Sequence, residues 1–231
     1  MTADPSEPSA ATPTTPPPTP RTQVKRLPEL GVYDRETIAA VCDEALICHV
    51  GYATDSGPRV IPTIHVRIDD TLYFHGSAAS RTLRSLQDGV DVSVCITLLD
   101  GIRFARSMFE HSMNYRSVVA YGRARPVTDP AELEVVARSI TDHVAAGRSA
   151  DARMPNENEL KQTLFLALLL DEASAKVSTG YSEEPPEDEA LPVWAGVLPL
   201  HLVPGEPVAH PNLDPALPTP GYLTDYRRPR S

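Results

Sequence analysis

The stretch that decides the fold runs from residue 59 to residue 86 and reads RVIPTIHVRIDDTLYFHGSAASRTLRSL. Its first ten residues alternate in a way that is typical of a β-strand, whose successive side chains point to opposite faces. One face carries Val60, Pro62, Ile64, Val66 and Ile68. The other face carries Arg59, Ile61, Thr63, His65 and Arg67. Asp69-Asp70 supplies turn residues before a second strand over 71–75, so the segment predicts a β-hairpin.

The second strand of this hairpin ends in a loop of small residues, Gly76 to Ser80, which leads into a short predicted helix over 81–86. Such a loop offers unpaired backbone N–H groups and hydroxyls close to the guanidinium of Arg81. Helix N-termini with these features bind anions readily. The pattern predicts a phosphate site, although an ordinary helix start with a serine cap and a solvated arginine has the same pattern.

The segments on either side of the hairpin predict further strands and several helices. A helix begins at Asp34, and two later helices have N-cap signals at Asp129 and Asn156. The last of these helices is expected to continue through Leu168. Strands are predicted over residues 46–53, 91–98, 115–127 and 173–179, and residues 194–203 close the core. Short hairpins with late helices favour an antiparallel barrel with peripheral helices over a doubly wound sheet.

Both ends of the chain are rich in proline. Residues 1–22 hold seven prolines and six threonines, and they predict a disordered segment because they offer little apolar surface to offset the entropy of ordering. Residues 204–231 predict an extended tail, in which Leu213 and Tyr222 are among the apolar residues that would let it lie along a surface. One folded domain, residues 23–203, is left between these segments.

Charge and cysteine content exclude several classes of protein. The net charge of −10 at pH 7 argues against a nucleic-acid partner, because binding to a phosphate backbone needs a clustered basic surface. Cys42, Cys48 and Cys95 form no C-x-x-C pair and follow no secretory leader, so a disulfide framework is not expected. The longest apolar run, around 165–170, is too short to span a membrane. We therefore expect a cytoplasmic protein with no membrane partner.

The familiar motifs of catalytic and metal sites are missing. There is no GxGxxG, P-loop, HExxH or GxSxG sequence. His49, His65 and His75 lie on predicted strands and would bind zinc only if those strands aligned them. Histidines that are satisfied or face the solvent explain them better, and no metal site is predicted. Trp194, the only tryptophan, fills the core in the simplest interpretation.

Four ordered segments resemble the flavin site of the pyridoxamine 5'-phosphate oxidase-like split-barrel family, and most closely its nitroimidazole-reductase-like branch. They are Gly51-Tyr52-Ala53 with the turn Asp55-Ser56-Gly57-Pro58, the strand Arg59-Val60-Ile61-Pro62, Leu72 to Gly76 with Ser80-Arg81-Thr82, and Tyr115 to Val118 leading to Tyr121 to Ala124. The closing segment 193–199 also resembles this branch. The resemblance covers residues 25–203.

The fold implied by this resemblance is mainly β with peripheral helices, a six-stranded antiparallel split β-barrel. The family resemblance also implies a homodimer with FMN in grooves that both chains share. In this chain the implied cofactor-binding residues are Arg59, Val60, Ile61, Pro62, Thr63, Tyr73, His75, Gly76, Ser80, Arg81, Thr82, Ser117 and Trp194.

Within this implied set, Ser80, Arg81 and Thr82 hold the phosphate of FMN, and His75 and Gly76 lie beside the ring or the ribityl chain. The family's oxidase has a lysine at the position of Thr82. The change weakens the implied phosphate clamp by one charge and argues against oxidation of pyridoxamine phosphate.

The implied function is that of an FMN-dependent oxidoreductase, which reduces an unidentified small-molecule electron acceptor. In such proteins the flavin does the redox chemistry, and the protein supplies binding and orientation. His75 is the implied catalytic residue, as a proton donor to the reduced substrate. Proteins with the same fold also bind haem or a deazaflavin, or hold a flavin without turnover as sensors or storage proteins, so these alternatives stay open.

Overall fold

The computed structural model describes residues 15, 18–77 and 91–228, and these form ten β-strands and five α-helices. The strands are β1 Gly31–Val32, β2 Ile47–Thr54, β3 Gly57–Ile68, β4 Thr71–Ser77, β5 Asp91–Phe104, β6 Ser112–Arg123, β7 Arg125–Pro126, β8 Thr163–Leu169, β9 Glu172–Ser178 and β10 Gly196–Pro199. The helices are α1 Arg35–Glu44, α2 Pro130–Val144, α3 Arg148–Asp151, α4 Glu157–Lys161 and α5 Gly221–Thr224. A 3-10 helix, Pro28–Leu30, precedes β1.

All strand pairs are antiparallel and belong to one sheet, in the order β1-β9-β6-β5-β2-β3-β4-β8-β7, with β10 beside β5. Among the described residues, the two ends of this order do not pair with each other, so the sheet does not close. Three of the ten strands, β1, β7 and β10, have four residues or fewer. The prediction of a mainly β split barrel with peripheral helices is confirmed.

The barrel interior and the outside of one sheet region form two separate apolar cores. The larger core contains Leu72, Phe74 and Ile96, and α1 packs against it through Val41 and its neighbours. The smaller core lies between α2 and the opposite side of β4 and β8. Burial of each large apolar side chain contributes about 1.5–3 kcal/mol, so together these cores supply the main driving force for folding.

The capped helices begin where the sequence predicts them. The Asp34 carboxylate accepts a hydrogen bond from the backbone N–H of Thr37 at 2.8 Å, and Asn156 forms a capping box with Glu159. None of the helices in the described part of the chain is long and apolar enough to cross a membrane.

The helix predicted from Asn156 to Leu168, however, ends at Lys161, and Thr163–Leu169 is strand β8. The helix prediction was wrong here because apolar residues fill both faces of this segment. Its side chains alternate between the larger core, which takes Leu164 and Leu166, and the smaller core, which takes Phe165. A strand that is buried on both faces has a nearly continuous apolar run, which periodicity alone cannot distinguish from a helix.

Residues of both predicted tails contact the barrel. Thr22 is buried, and the Arg21 guanidinium forms an ion pair with Glu172 while it lies 5.0 Å above the centre of the Tyr121 ring. At the other end, Arg228 donates hydrogen bonds to backbone carbonyls at the ends of α1 and α2. The division into residues 1–22, 23–203 and 204–231 stays a prediction.

Candidate functional site

The hairpin of β3 and β4 opens into a fork at one end. The two strands pair from His65 opposite Phe74 to Ile68 opposite Thr71. Before this region β3 pairs with β2 instead, whereas β4 pairs with β8 along its whole length. The Thr63 hydroxyl bridges the opening by donating a hydrogen bond to the carbonyl oxygen of His75 at 2.8 Å. The fork, which we define as residues 59–63 of β3 with residues 75 and 76 of β4, unites seven of the implied cofactor residues.

The β3 side of the fork presents apolar side chains to its surroundings. Val60 is 66% exposed and Pro62 is also exposed, whereas Ile61 packs against the barrel core. The exposed Arg59 guanidinium donates a hydrogen bond to the Ser56 hydroxyl at 3.0 Å. An accessible apolar strand with a cation at its start suits a planar aromatic ligand that carries polar groups at its edge.

The β4 side of the fork contributes a histidine with an unused nitrogen. His75 is half-buried, and its ring lies 5.6 Å from the Phe165 ring, centre to centre. Its Nδ1 atom is buried and has no hydrogen-bond partner among the described residues. Burial lowers the pKa of His75, so the ring is neutral at neutral pH. An unpaired buried nitrogen beside an open strand is a hydrogen-bonding position for a bound ligand.

The apolar surface of β3 continues across its neighbours, forming what we call the outer face. Its members are the outward residues of β2, β3 and β5, which are Ile47, His49, Gly51, Val60, Pro62, Ile64, Ser93 and Cys95. His49 lies between Pro62 and Cys95 in the strand register. A Cβ atom on Gly51 would lie 3.0 Å from the Ser93 hydroxyl, so glycine lets these two strands keep their side chains in place.

Sequence reasoning missed the outer face as a functional surface. The available signal was the alternation in β2, where Cys48, Val50 and Tyr52 are buried and the residues between them are not. That alternation shows which residues face outward, but not that the outward side of the adjacent β3 is apolar as well. Only the pairing of β2 with both β3 and β5 joins the three strands into one surface.

Tyr73, another implied cofactor residue, is engaged elsewhere. Its side chain belongs to the smaller core, and its hydroxyl donates a hydrogen bond to Glu132 on α2 at 2.9 Å. The same carboxylate accepts two hydrogen bonds from Arg125. Burial raises the pKa of Tyr73, and the Glu132 carboxylate raises it further. The hydroxyl therefore fixes α2 on the barrel.

Ser117 and Trp194 do not meet the fork within one chain. Ser117 lies on β6, between Thr97 of β5 and Lys176 of β9. Trp194 is 69% exposed, and its ring contacts Phe104 edge-on with 5.9 Å between centres. Phe104 lies nine residues along β5 from Cys95, which corresponds to roughly 30 Å. Trp194 is therefore a surface aromatic residue, so the interpretation that it fills the core was wrong, and its assignment to the cofactor stays a prediction.

The implied phosphate-binding residues Ser80, Arg81 and Thr82 lie outside the described residues, as does the predicted helix over 81–86. A cavity of about 330 Å³ lies near the start of β4, lined by Thr71, Tyr121, Arg123, Arg125, Leu168 and Glu172. Two of its charged side chains are already paired, Arg125 with Glu132 and Glu172 with Arg21. This cavity is separate from the fork.

The comparisons with known proteins agree with this architecture. Residues 34–177 match the family model described as pyridoxamine 5'-phosphate oxidase. None of the curated proteins that were compared matches the chain.

Several solved structures share the fold. A flavocytochrome from Azotobacter vinelandii is 36% identical with a TM-score of 0.86, and the match covers 91% of this chain and 98% of that chain. An FAD- and haem-binding protein from Mycobacterium smegmatis is 34% identical with a TM-score of 0.79, over 84% of this chain and 96% of that chain. A candidate 5-nitroimidazole antibiotic resistance protein from Bacteroides thetaiotaomicron is 22% identical with a TM-score of 0.54, over 64% and 86% respectively, and shares the fold.

Proposed function

Because the chain belongs to the pyridoxamine 5'-phosphate oxidase family of split-barrel proteins, we propose that it is an oxidoreductase that binds a flavin at the fork and a haem as a second cofactor. The observation that carries this proposal is the similarity, over 91% of the chain, to a flavocytochrome. A bound flavin supplies hydride and electron transfer to a small-molecule acceptor, and haem iron supplies one-electron transfer.

The residues of the fork fit a flavin. Val60 and Pro62 offer an apolar surface for an aromatic ring, and the unpaired Nδ1 of His75 offers a hydrogen-bonding position beside it. Thr63 holds the two sides of the fork together through its hydrogen bond to the His75 carbonyl, so the fork is positioned before a ligand binds. In this proposal His75 orients the ring or donates a proton at Nδ1, and Arg81 contacts the phosphate.

The sequence predicts FMN, whereas the relative from Mycobacterium smegmatis is described as binding FAD, which makes FAD the flavin that the comparison favours. Both flavins share the isoalloxazine ring and the first phosphate, and FAD adds an adenosine monophosphate. Mass spectrometry of the flavin released by denaturation distinguishes the two.

A haem site fits the outer face. His49 is exposed there between Pro62 and Cys95, and apolar surroundings of this kind suit the porphyrin. In the part of the chain that the structure describes, no group of three or more His, Cys, Asp or Glu side chains suits a bare metal ion. Haem differs because the porphyrin itself binds the iron, and a single histidine can hold it. In this chain His49 would be that histidine.

We further propose that two copies of the chain pair through the outer face, with the cofactors held between them. Ile47 is 51% exposed and Val60 is 66% exposed, so a single chain leaves large apolar side chains uncovered. Contiguous apolar patches of this kind mark interaction sites. Pairing would also let a surface aromatic residue such as Trp194 reach the fork of the other copy.

We also propose that the protein is located in the cytoplasm. The thiols of Cys42, Cys48 and Cys95 are free, which suits a reducing compartment.

The cofactor proposal is tested by the visible absorption spectrum of the purified protein, which we expect to contain flavin bands and a Soret band. His49→Ala should remove the Soret band and keep the flavin bands, and His75→Ala should weaken flavin binding and keep the Soret band. A wild-type spectrum without flavin bands after reconstitution with FMN and with FAD would refute the function. Reoxidation of the reduced flavin by added acceptors separates an enzyme from a storage protein.

The dimer proposal is tested by sedimentation of a Val60→Asp variant. A charge at the centre of an apolar interface should convert the dimer to a monomer, because the carboxylate would be buried without a partner. Val208→Asp is the matched control, since Val208 is 93% exposed in the C-terminal tail. A Val60→Asp protein that remains dimeric, or a wild-type monomer at micromolar concentration, would contradict the pairing.

A further inference from the structure

The C-terminal end of α1 is capped by side chains from three distant parts of the chain. The last carbonyl groups of an α-helix have no partner within the helix. At the end of α1 the caps come from His65 on β3, His143 on α2 and Arg228 in the tail. The pairs are His65 Nε2 to the Cys42 carbonyl at 2.9 Å, Arg228 Nη2 to Asp43 at 3.1 Å, Arg228 Nε to Glu44 at 3.0 Å, and His143 Nε2 to Ala45 at 2.7 Å.

Residues 221–228 reach this position as a docked segment, which we call the latch segment. Arg228 also donates to the carbonyl of His143, so its guanidinium joins the ends of α1 and α2. The Tyr226 hydroxyl donates to the Val144 carbonyl at 2.8 Å, and the Tyr222 hydroxyl donates to Asp151 at 2.8 Å. A guanidinium is well suited to the negative end of a helix dipole. Arg228 is therefore the cation that this helix end recruits.

Burial favours the neutral form of both capping histidines by lowering their pKa values. Each donates from Nε2 to a carbonyl oxygen, so an uncharged ring leaves Nδ1 without a proton. In His65 that Nδ1 is buried and has no partner among the described residues. In His143 a second proton would create an imidazolium whose Nε2 is 3.4 Å from the Arg228 guanidinium. Protonation of His143 therefore sets two cations against each other at one helix end.

Nearby carboxylates offset only part of this repulsion, because arginines already pair with them. Asp43 accepts two hydrogen bonds from Arg67, at 2.9 and 2.5 Å. Glu44 accepts two from Arg116, at 2.7 and 3.0 Å. Burial lowers the pKa of His143, and the charge of Arg228 lowers it further, although the Ala45 carbonyl and Asp43 act in the opposite direction.

We propose that the latch segment is released by acid: Arg228 holds it on the ends of α1 and α2 only while His143 is uncharged. The direction follows from linkage, because the docked state binds the His143 proton less readily than the released state. Docking is complete above the ordinary histidine range and is lost as the pH falls below it. By the same linkage, removal of Arg228 must raise the pKa of His143.

The test uses NMR on the full chain, with the imidazole signals and the backbone amides of residues 222–226 followed from about pH 7 downward until the His143 signal has titrated. The His65 ring, whose pKa is about 4, is followed separately in the same spectra. We expect the amides to pass from rigid to mobile in step with the titration of His143. Latch amides that stay rigid after His143 has titrated would overturn the proposal.

Two variants and a matched control complete the test. Arg228→Gln should raise the pKa of His143 and leave the latch segment mobile at every pH, whereas Arg227→Gln, which alters an exposed neighbour, should change neither. His143→Gln keeps an N–H donor for the Ala45 carbonyl but cannot titrate, so its latch segment should stay rigid over the pH range in which the wild-type segment is released. An unchanged His143 pKa in Arg228→Gln, or acid release in His143→Gln, would refute the latch.

Discussion

Arg116 offers the sharpest test of how α1 is held on the barrel. Its guanidinium donates to Asp100 at 2.9 and 2.7 Å and to Glu44 at 2.7 and 3.0 Å. The side chains are 17% exposed for Arg116, 15% for Glu44 and 33% for Asp100. These two carboxylates raise the pKa of Arg116 further above its ordinary value. One cation thus joins the end of α1 to the hairpin of β5 and β6.

Arg116→Met keeps much of the side-chain length but leaves two carboxylates facing each other. Removing one partner of a buried ion pair costs about 3–5 kcal/mol. Because Asp100 is one-third exposed and can recover water, the lower end of this range applies, about 3 kcal/mol. For a chain of this size that loss lowers the melting temperature by roughly 6–12 °C.

The assay is urea unfolding of both proteins at the same protomer concentration, because oligomerisation contributes to apparent stability. Arg138→Met is the matched control, since Arg138 pairs with Glu134 on the exposed surface of α2. That change should cost less than about 0.5 kcal/mol. Glu44→Gln added to Arg116→Met should restore part of the loss by removing one of the two charges. A loss below about 1 kcal/mol for Arg116→Met would refute the reasoning.

Three further changes test the site and the core. Arg81→Ala should weaken FMN binding by about 10- to 150-fold, since a hydrogen bond to a charged group is worth roughly 1.5–3 kcal/mol. The binding of riboflavin, which lacks the phosphate, should stay nearly unchanged, and equal losses in titrations of both flavins would rule out a phosphate contact. Thr63→Val should lower the free energy of unfolding by about 1 kcal/mol by leaving the His75 carbonyl unpaired, and an unchanged urea midpoint would contradict this. His65 has a pKa of about 4 in the folded state and about 6.5 in the unfolded state, so its contribution to the free energy of unfolding is complete above pH 6.5 and is lost as the pH falls towards 4. His65→Gln should remove about 3 kcal/mol of this acid destabilisation, as measured by urea unfolding at about pH 6.5 and about pH 4.

The sequence predicted the hairpin of β3 and β4 because its signals are local. Alternating side chains, Asp69-Asp70 at the turn and a Gly-Ser break all lie within one stretch. The prediction of a helix from Asn156 to Leu168 failed for the opposite reason. A capping box at Asn156 starts a helix, but the residues after Lys161 are buried alternately in the larger and the smaller core. Tertiary burial on both faces of Thr163–Leu169 overrides the local helical spacing.

The site was predictable only where it stays within the hairpin. Thr63 and His75 meet because the strands of one hairpin fork, which the sequence order already implies. The family resemblance assigned Tyr73 to the cofactor, yet its hydroxyl donates to Glu132, which is 59 residues away. The contacts of Arg228 with α1 were still harder to predict, because they join residues more than 180 positions apart in the sequence. No local pattern reports such a contact.

One strand joins the two regions for which we propose roles. Thr63 bonds to the His75 carbonyl at the fork, and His65, on the same face of β3, bonds to the Cys42 carbonyl at the end of α1. Two residues along a strand span roughly 7 Å, so a shift of α1 would act on β3 only about 7 Å from the residue that lines the fork. If β3 transmits such a shift, release of the latch segment changes flavin affinity, and flavin binding changes the pH of release by the same coupling free energy. Equal flavin affinities in wild type and Arg228→Gln would mean that β2, β4 and β8 hold the fork independently of the helix end.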